Sequence, residues 1–191
     1  MRRARSLLVV VPLLALALVS TACDDDLFEL DWTSFPDTVV LYSLANPQLQ
    51  RASAFNFNSR TAVRIEVPGA TGQWDVALDT RAGQLVLLPP GALGVTSRAR
   101  VASLPGQSFA QVQEAPADTL LYSASAAVPV NLNTTYVVRT DTRSTQFGGQ
   151  CVYFGKMQPL AVNVPAGTME FVYDVSPVCN DRRLVPPDSI K

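Results

Sequence analysis

The chain has 191 residues, of which 15 are lysine or arginine, 16 are aspartate or glutamate and none is histidine. Without histidine, catalytic triads built on Ser-His or Cys-His are excluded, and the commonest protein ligand for metal ions is missing. The length fits a single domain with its own hydrophobic core, and we expect neither an enzyme nor a metal site.

The first element along the chain is a predicted export leader. Three arginines within the first five residues precede an apolar run at 7–19, and the small residues 20–22 follow it. This order is typical of a secretory signal peptide with a helical apolar segment, and a cysteine directly after it, Cys23, is typical of a bacterial lipoprotein. We therefore expect acylation of Cys23 and a lipid anchor in the cell envelope, at the periplasmic face or the outer membrane.

Two other interpretations of this leader are a transmembrane helix and ordinary secretion that leaves Cys23 a free thiol. A membrane-spanning helix needs about 20 apolar residues. The run at 7–19 is shorter, contains Pro12 and is followed by three aspartates. Several acyl chains would anchor the protein durably, because each buried CH₂ group contributes about 0.8 kcal/mol. The position of the cysteine favours lipidation.

Residues 23–36 are predicted to form an acidic tether, because they lack a clear hydrophobic period. The leader, residues 1–22, contains three basic residues and no acidic ones, so the mature chain has 12 basic and 16 acidic residues and a formal charge of −4. Its arginines are scattered along the sequence, whereas nucleic-acid binding needs clustered cations. We therefore expect the membrane, and not nucleic acid, as a partner.

Residues 37–191 are predicted to form one all-β domain of mainly antiparallel strands, with short helical turns possible. Segment 109–115 fits either a helical turn or a short strand. In the clearest strand, Met169, Phe171, Tyr173 and Val175 alternate with mostly polar residues, which predicts their burial in the core. The predicted strands are residues 38–44, 62–67, 73–79, 84–88, 135–140, 150–157 and 168–175.

Cys151 and Cys179 are predicted to form a disulfide, because an exported chain reaches a compartment where disulfides persist. The bond would close a loop of about 29 residues, which stabilises by roughly 3–4 kcal/mol in the chain-entropy model. It would also fasten the tail, residues 180–191, to the sheet. A redox or metal-binding pair would instead need CxxC-like spacing or histidine partners, which the sequence lacks.

Asp75 and Asp79 are a candidate pair of carboxylates for acid–base catalysis. Four residues apart on a strand, their side chains would point to the same face roughly 13 Å apart. This distance exceeds the roughly 5–9.5 Å between the carboxylates of glycosidases. We therefore interpret them as a turn residue and a hydrogen-bonding partner of backbone groups or of arginine.

Five short motifs follow one another along most of residues 53–175. They are Trp74-Asp75-Val76-Ala77-Leu78, Phe109-x-x-Val112-x-x-Ala115-Pro116, Tyr136-Val137-Val138-Arg139-Thr140, Lys156-Met157 and Gly167-Thr168-x-x-Phe171-x-Tyr173. In this order, and beside a lipoprotein leader, the chain resembles the haem-binding lipoproteins typified by HmuY.

The resemblance implies a compact β domain on a lipid anchor, with a loop-lined cleft for a planar apolar ligand. Haem iron in such proteins is held by histidines, or by methionines in some relatives, so in this chain only Met157 and Met169 could be the axial ligands. Core packing is the commoner role of methionine, and both positions also fit it.

Three functions follow as expectations. We favour a non-enzymatic, lipid-anchored binding or scaffold module of the cell envelope, with an apolar small molecule or an envelope protein as its partner. The second function is haem binding through the two methionines, and the third is a structural subunit of an envelope complex.

Overall fold

The computed structural model describes residue 32 and residues 36–46, 50–144 and 148–186. The predicted leader, Cys23 and nearly all of the tether lie outside the described residues. The described part is predominantly antiparallel β-sheet with two short 3-10 turns, Pro90–Leu93 and Thr119–Leu121, so the all-β prediction is confirmed. The strands are β1 Asp37–Tyr42, β2 Ala54–Asn56, β3 Thr61–Val63, β4 Val76–Arg81, β5 Gln84–Leu88, β6 Arg100–Pro105, β7 Tyr122–Ser123, β8 Val128–Pro129, β9 Thr134–Arg139, β10 Arg143–Ser144, β11 Gln150–Cys151, β12 Phe154–Asn163 and β13 Thr168–Val175.

The strands form two main sheets that pack face to face. The larger sheet has six strands in the order β1-β13-β12-β9-β6-β7, and the second has five in the order β3-β2-β4-β5-β8. Strands β10 and β11 form a separate pair. One hydrophobic cluster draws its residues from both main sheets, as the core of a β-sandwich does.

The predicted core face of β13 is confirmed. Met169, Phe171, Tyr173 and Val175 are all at most 5% exposed and belong to the cluster between the sheets. Their alternation with more exposed residues is that of a strand with one buried face.

An aromatic group forms the centre of this core. The rings of Phe55, Phe57, Phe171 and Tyr173 form five contacts with centroids 4.6–6.3 Å apart, mostly edge to face. Gly155 lies against Phe57, where a Cβ atom would come within 2.3 Å of the ring. Glycine at this position therefore lets the aromatic group pack directly against the backbone of β12.

Four predicted strands agree closely with the structure. Segments 84–88 and 168–175 have the bounds of β5 and β13, and 38–44 and 135–140 match β1 and β9 to within two residues. The strands β2, β6, β7, β8 and β10 were not predicted, because they are short or carry mixed polar and apolar residues without a clear alternation.

Three predicted strands have wrong bounds. Segment 73–79 becomes a strand only at Val76, and segment 62–67 ends at Val63 because turns follow it. Segment 150–157 is interrupted after Cys151, and β12 then continues through Pro159 to Asn163. The proline is accommodated where a β-bulge shifts the pairing with β13.

The six-stranded sheet is buried on its second face as well. We call this face, which points away from the five-stranded sheet, the outer face, and we call residues 108–116 and 180–184 the cover. The sequence left segment 109–115 open as a helical turn or a short strand. In the structure residues 109–111 form a turn, and residue 114 joins an isolated β-bridge. Backbone hydrogen bonds or bridges join the two parts of the cover at Glu114 with Arg183, Ala115 with Arg182 and Gln113 with Leu184.

A second hydrophobic cluster forms between the outer face and the cover. The central strands of the larger sheet are therefore buried on both faces. This explains why nearly every residue of β9 is buried and not only alternate ones. The buried members are Ala102, Val112, Ala115, Tyr122, Val137, Val152, Phe154 and Leu184.

The predicted disulfide between Cys151 and Cys179 is confirmed, with the two Cα atoms 5.4 Å apart. Asn180, the next residue, continues the attachment: its backbone N–H donates to the carbonyl of Val152 and its side-chain Oδ1 accepts from the Val152 N–H. The tail is therefore fastened as predicted through Leu184, while residues 187–191 lie outside the described residues.

Lys156 on β12 binds the cover from the side of the sheet. Its ammonium group is buried beneath residues 108–116 and donates to the carbonyl oxygens of Phe109 and Val112, each at 2.9 Å. It also lies 4.4 Å from the centroid of the Phe109 ring, a favourable position for a cation. Burial lowers the pKa of Lys156, and the nearby carboxylate of Asp174 opposes this effect.

We expect the Lys156→Met variant to lose about 2–3 kcal/mol of unfolding free energy, because two buried carbonyl oxygens lose a charged donor. Urea denaturation measures the loss, and amide exchange at Ala115 and Leu184, whose N–H groups join the cover, should accelerate. Leu160→Gln on the same strand, at a position 52% exposed, is the control and should stay within about 0.5 kcal/mol of wild type.

The pH dependence of stability provides a second comparison of wild type with the Lys156→Met variant. Burial holds the folded-state pKa of Lys156 below the 10.5 of an ordinary lysine, so between these two values the unfolded chain binds more protons. Wild type should therefore gain stability relative to Lys156→Met as the pH rises through this alkaline window. Equal stability of the two proteins at every pH would contradict the anchoring role.

Candidate functional site

A row of three residues crosses the outer face where the cover ends. Arg100 on β6 lies directly opposite Arg139 on β9, and Arg139 lies directly opposite Phe154 on β12. Residues in register on neighbouring strands project from the same face, so two guanidinium groups and one aromatic ring stand side by side.

Two further arginines reach this row from outside the sheet. Arg98 precedes β6 by two positions and so falls on the same side as Arg100, with the buried Ala99 between them. Arg182 comes from the tail, where its carbonyl accepts a hydrogen bond from Ala115 N–H. Four segments of the fold therefore bring four cations and a ring together.

These residues line a cavity of about 500 Å³, which we call the arginine cleft. This size suits a small organic ligand. Among the described residues, no carboxylate is part of the lining, which consists of Arg98, Arg100, Pro116, Ala117, Thr119, Tyr122, Arg139, Phe154 and Arg182.

The arginines of the cleft repel one another. Burial lowers the pKa of Arg139, and the charges of Arg100 and Arg98 lower it further. The guanidinium of Arg139 donates to the backbone carbonyl of Arg98 at 2.9 Å, a contact that supplies no negative charge. Like charges directly opposite each other destabilise a sheet, so this arrangement is unfavourable without a bound anion.

Carboxylates near the cleft neutralise only part of its charge. Glu114 forms an ion pair with Arg182, and both side chains are exposed. Asp141 accepts hydrogen bonds from the backbone N–H groups of Arg98 and Thr142. Within the described part of the chain, the side chains of Arg98 and Arg100 have no hydrogen-bonded or ion-paired partner.

Tyr122 and Phe154 form the apolar wall of the cleft. Both are buried, and the Tyr122 hydroxyl donates to the carbonyl of Pro116 at 3.2 Å. Burial raises the pKa of Tyr122 to about 12, although the charges of Arg182 and Arg139 oppose the rise. The phenol is therefore neutral at physiological pH, and its ring is available for contact with an apolar group.

The cleft can bind and orient an anion. Arginine presents several N–H donors in a planar fork that matches carboxylate, sulfonate and phosphate groups. Its lining, as far as the structure describes it, contains only arginine and tyrosine as titratable groups, and neither titrates near neutral pH. A proton acceptor for general base catalysis is thus not part of this lining.

Met157 and Met169, the predicted haem ligands, lie in the core between the two sheets. Both side chains are fully buried among the residues of the main hydrophobic cluster, and neither lines the arginine cleft. Packing accounts for their positions, and haem ligation stays a prediction.

Asp75 and Asp79 both accept hydrogen bonds, the role predicted for one of them, and Asp79 lies within β4. Asp75 is buried and accepts hydrogen bonds from the backbone N–H groups of Phe57 at 2.8 Å and Asp141 at 3.1 Å. Asp79 accepts from the Arg81 side chain at 3.2 Å. Burial raises the pKa of Asp75, and the two N–H donors and the Arg143 charge oppose the rise.

The sequence did not predict the arginine cleft. Its four arginines are spread from position 98 to position 182, so they look scattered along the chain. One local signal existed: the Arg98-Ala99-Arg100 alternation at the start of a strand places two cations on one face. The partners that complete the site are defined only by sheet register and by the path of the tail.

Comparison of the chain with protein-family models, with curated proteins and with solved structures found no match. Within the described residues, none of the helical segments has the length and apolar character needed to cross a bilayer. The same part of the chain contains no group of three or more Cys, Asp or Glu side chains placed to hold a metal ion.

We expect the Arg100→Gln variant to be as stable as wild type, or more stable by about 0.5–1 kcal/mol, because it removes the repulsion with Arg139. Any gain should shrink as salt screens the charges. Urea denaturation at low and high ionic strength measures both effects. The control is Arg64→Gln, an exposed arginine directly after β3. A loss above about 1 kcal/mol would mean that Arg100 is required for the fold and not for a ligand.

Proposed function

We propose that this protein is a non-enzymatic binding module of the bacterial cell envelope, lipid-anchored at Cys23, whose ligand is an anion held in the arginine cleft. The observation that carries the proposal is the juxtaposition of Arg100 and Arg139 with Arg98 and Arg182 around one cavity. Such repulsion persists in proteins mainly where function requires it.

The cleft also indicates the kind of anion. The arginines supply charged donors, and Tyr122 and Phe154 supply aromatic surface in the same lining. A ligand with a single negative group and an apolar part would contact both kinds of group at once. The few convergent polar groups would orient it, and the apolar wall would contribute binding free energy by burial.

The anchor is supported by the order of charged, apolar and small residues that precedes Cys23. It would hold the module at a membrane surface. The structure supports the binding module, and the leader supports its location, so the two parts of the proposal are tested separately.

Benzenesulfonate is a suitable probe for the cleft, because it combines a permanent anion with an apolar ring. Monitored by NMR titration, it should bind wild type, and Arg100→Gln or Arg139→Gln should weaken binding at least about tenfold, since a charged hydrogen bond contributes about 1.5–3 kcal/mol. Benzenesulfonamide, the neutral analogue, should bind far more weakly. Arg64→Gln is the matched control and should bind as wild type does.

The affinity for benzenesulfonate should not depend on pH near neutrality. Arginine stays protonated throughout and the chain has no histidine, so the affinity should be constant between about pH 5 and about pH 9. Equal binding of the neutral analogue, or unchanged affinity in Arg100→Gln and Arg139→Gln, would contradict the proposed site.

For the anchor, we expect the Cys23→Ser variant to lose incorporation of radiolabelled palmitate in bacterial cells and to leave the membrane fraction, because the acyl acceptor is gone. Cys151→Ser removes a different cysteine, one that forms the disulfide, and should retain the label. Labelled palmitate on the Cys23→Ser protein would show that the anchor is elsewhere.

A further inference from the structure

Two consecutive leucines stand exposed beside the arginine cleft. Leu120 is 90% exposed and Leu121 is 53% exposed. Single exposed leucines need no explanation, but a nearly bare leucine with a second one beside it forms an apolar projection in water. We call these two residues the leucine projection.

The projection is held in place by its own backbone. It lies on the 3-10 turn Thr119–Leu121, where the Asp118 side chain accepts from the Leu120 N–H at 2.9 Å and the Asp118 carbonyl accepts from the Leu121 N–H. Tyr122, the residue that follows, pairs with Ala102 in the sheet. The exposure of the leucines is thus built into an ordered turn.

The projection continues directly from the wall of the arginine cleft. Thr119 before it and Tyr122 after it both line the cleft. Apolar side chains pointing into solvent and four guanidinium groups therefore occupy adjoining surface. Three carboxylates lie near these two features, Asp118, Glu114 and Asp141, against four arginines, and Glu114 is already paired with Arg182, so the cations remain in excess.

We propose that the arginine cleft and the leucine projection dock together on the surface of an anionic lipid bilayer. This inference rests on the proposed anion-binding role and names its ligand as the headgroup phosphate of an anionic phospholipid. Arginines bind the headgroups electrostatically, while the leucines enter the boundary between headgroups and acyl chains. Cationic and apolar groups side by side match that boundary more closely than they match a small soluble anion.

A tryptophan placed in the projection tests this docking. The full-length protein carrying Leu120→Trp is reconstituted into vesicles of phosphatidylcholine with phosphatidylglycerol whose acyl chains are brominated, and its emission is compared with that of wild type to subtract Trp32 and Trp74. Contact with the bilayer should quench the added fluorescence at least about twofold. The matched control is Leu160→Trp, whose position is 52% exposed and lies on β12 outside the cleft lining; it should stay unquenched.

Further measurements test whether the contact requires anionic headgroups and the arginines of the cleft. Quenching should fall to the control level in vesicles of phosphatidylcholine alone, and also when Arg100→Gln and Arg139→Gln are added to Leu120→Trp. Soluble glycerophosphate at high concentration should reduce quenching by competing for the arginines. Equal quenching in neutral and anionic vesicles would overturn the headgroup assignment.

The outcomes separate this inference from the proposed function. Normal binding of benzenesulfonate without any quenching of the Leu120→Trp variant would mean that the cleft takes a soluble anion and that the bilayer docking is wrong. A blue shift of that variant without lipid, increasing with protein concentration, would assign the leucines to a contact between two copies of the chain and would equally overturn it. Failure of benzenesulfonate binding would instead reject the anion site itself.

Discussion

The central strands of the six-stranded sheet have apolar residues on both faces, and the rest of the structure depends on burying them. One face is closed by the five-stranded sheet around the aromatic group. The other is closed by the cover, two irregular segments that contribute Val112, Ala115 and Leu184 to the second hydrophobic cluster. The buried ammonium of Lys156 makes this possible, because its bonds to Phe109 and Val112 fix carbonyl groups that would otherwise lie unsatisfied over the sheet.

The arginine cleft is a consequence of where the cover ends. Strands β6, β9 and β12 extend past it, and their outer-face residues at this end are the partly exposed Arg100 and Arg139 and the buried Phe154. A sheet selected for stability alone would place a carboxylate opposite Arg139. The fold instead carries a repulsive pair there and supplies two more cations from a loop and from the tail, which is why we propose a ligand site at this end of the sheet.

Features encoded by neighbouring residues were predicted, and features that depend on distant segments were not. The alternation in β13 and the pairing of Cys151 with Cys179 could be inferred from local pattern and cysteine number. The sequence analysis also singled out Lys156-Met157, but it did so because Met157 was a candidate haem ligand, and it gave no role to Lys156. The two side chains point to opposite faces, and the role of the lysine is set by residues more than forty positions away, which no periodicity in β12 reveals.

The tail couples the chemistry of sulfur to the charge of the cleft. Arg182 lies three residues beyond Cys179, whose bond to Cys151 closes the loop that carries it back to the sheet. In a reducing cytoplasm that bond would be open, and hydrogen bonds alone would keep the fourth arginine beside the other three. An oxidising compartment adds the covalent closure. The arginine cleft is therefore covalently completed only where disulfides persist, as they do in the cell envelope that we propose as the location of the protein.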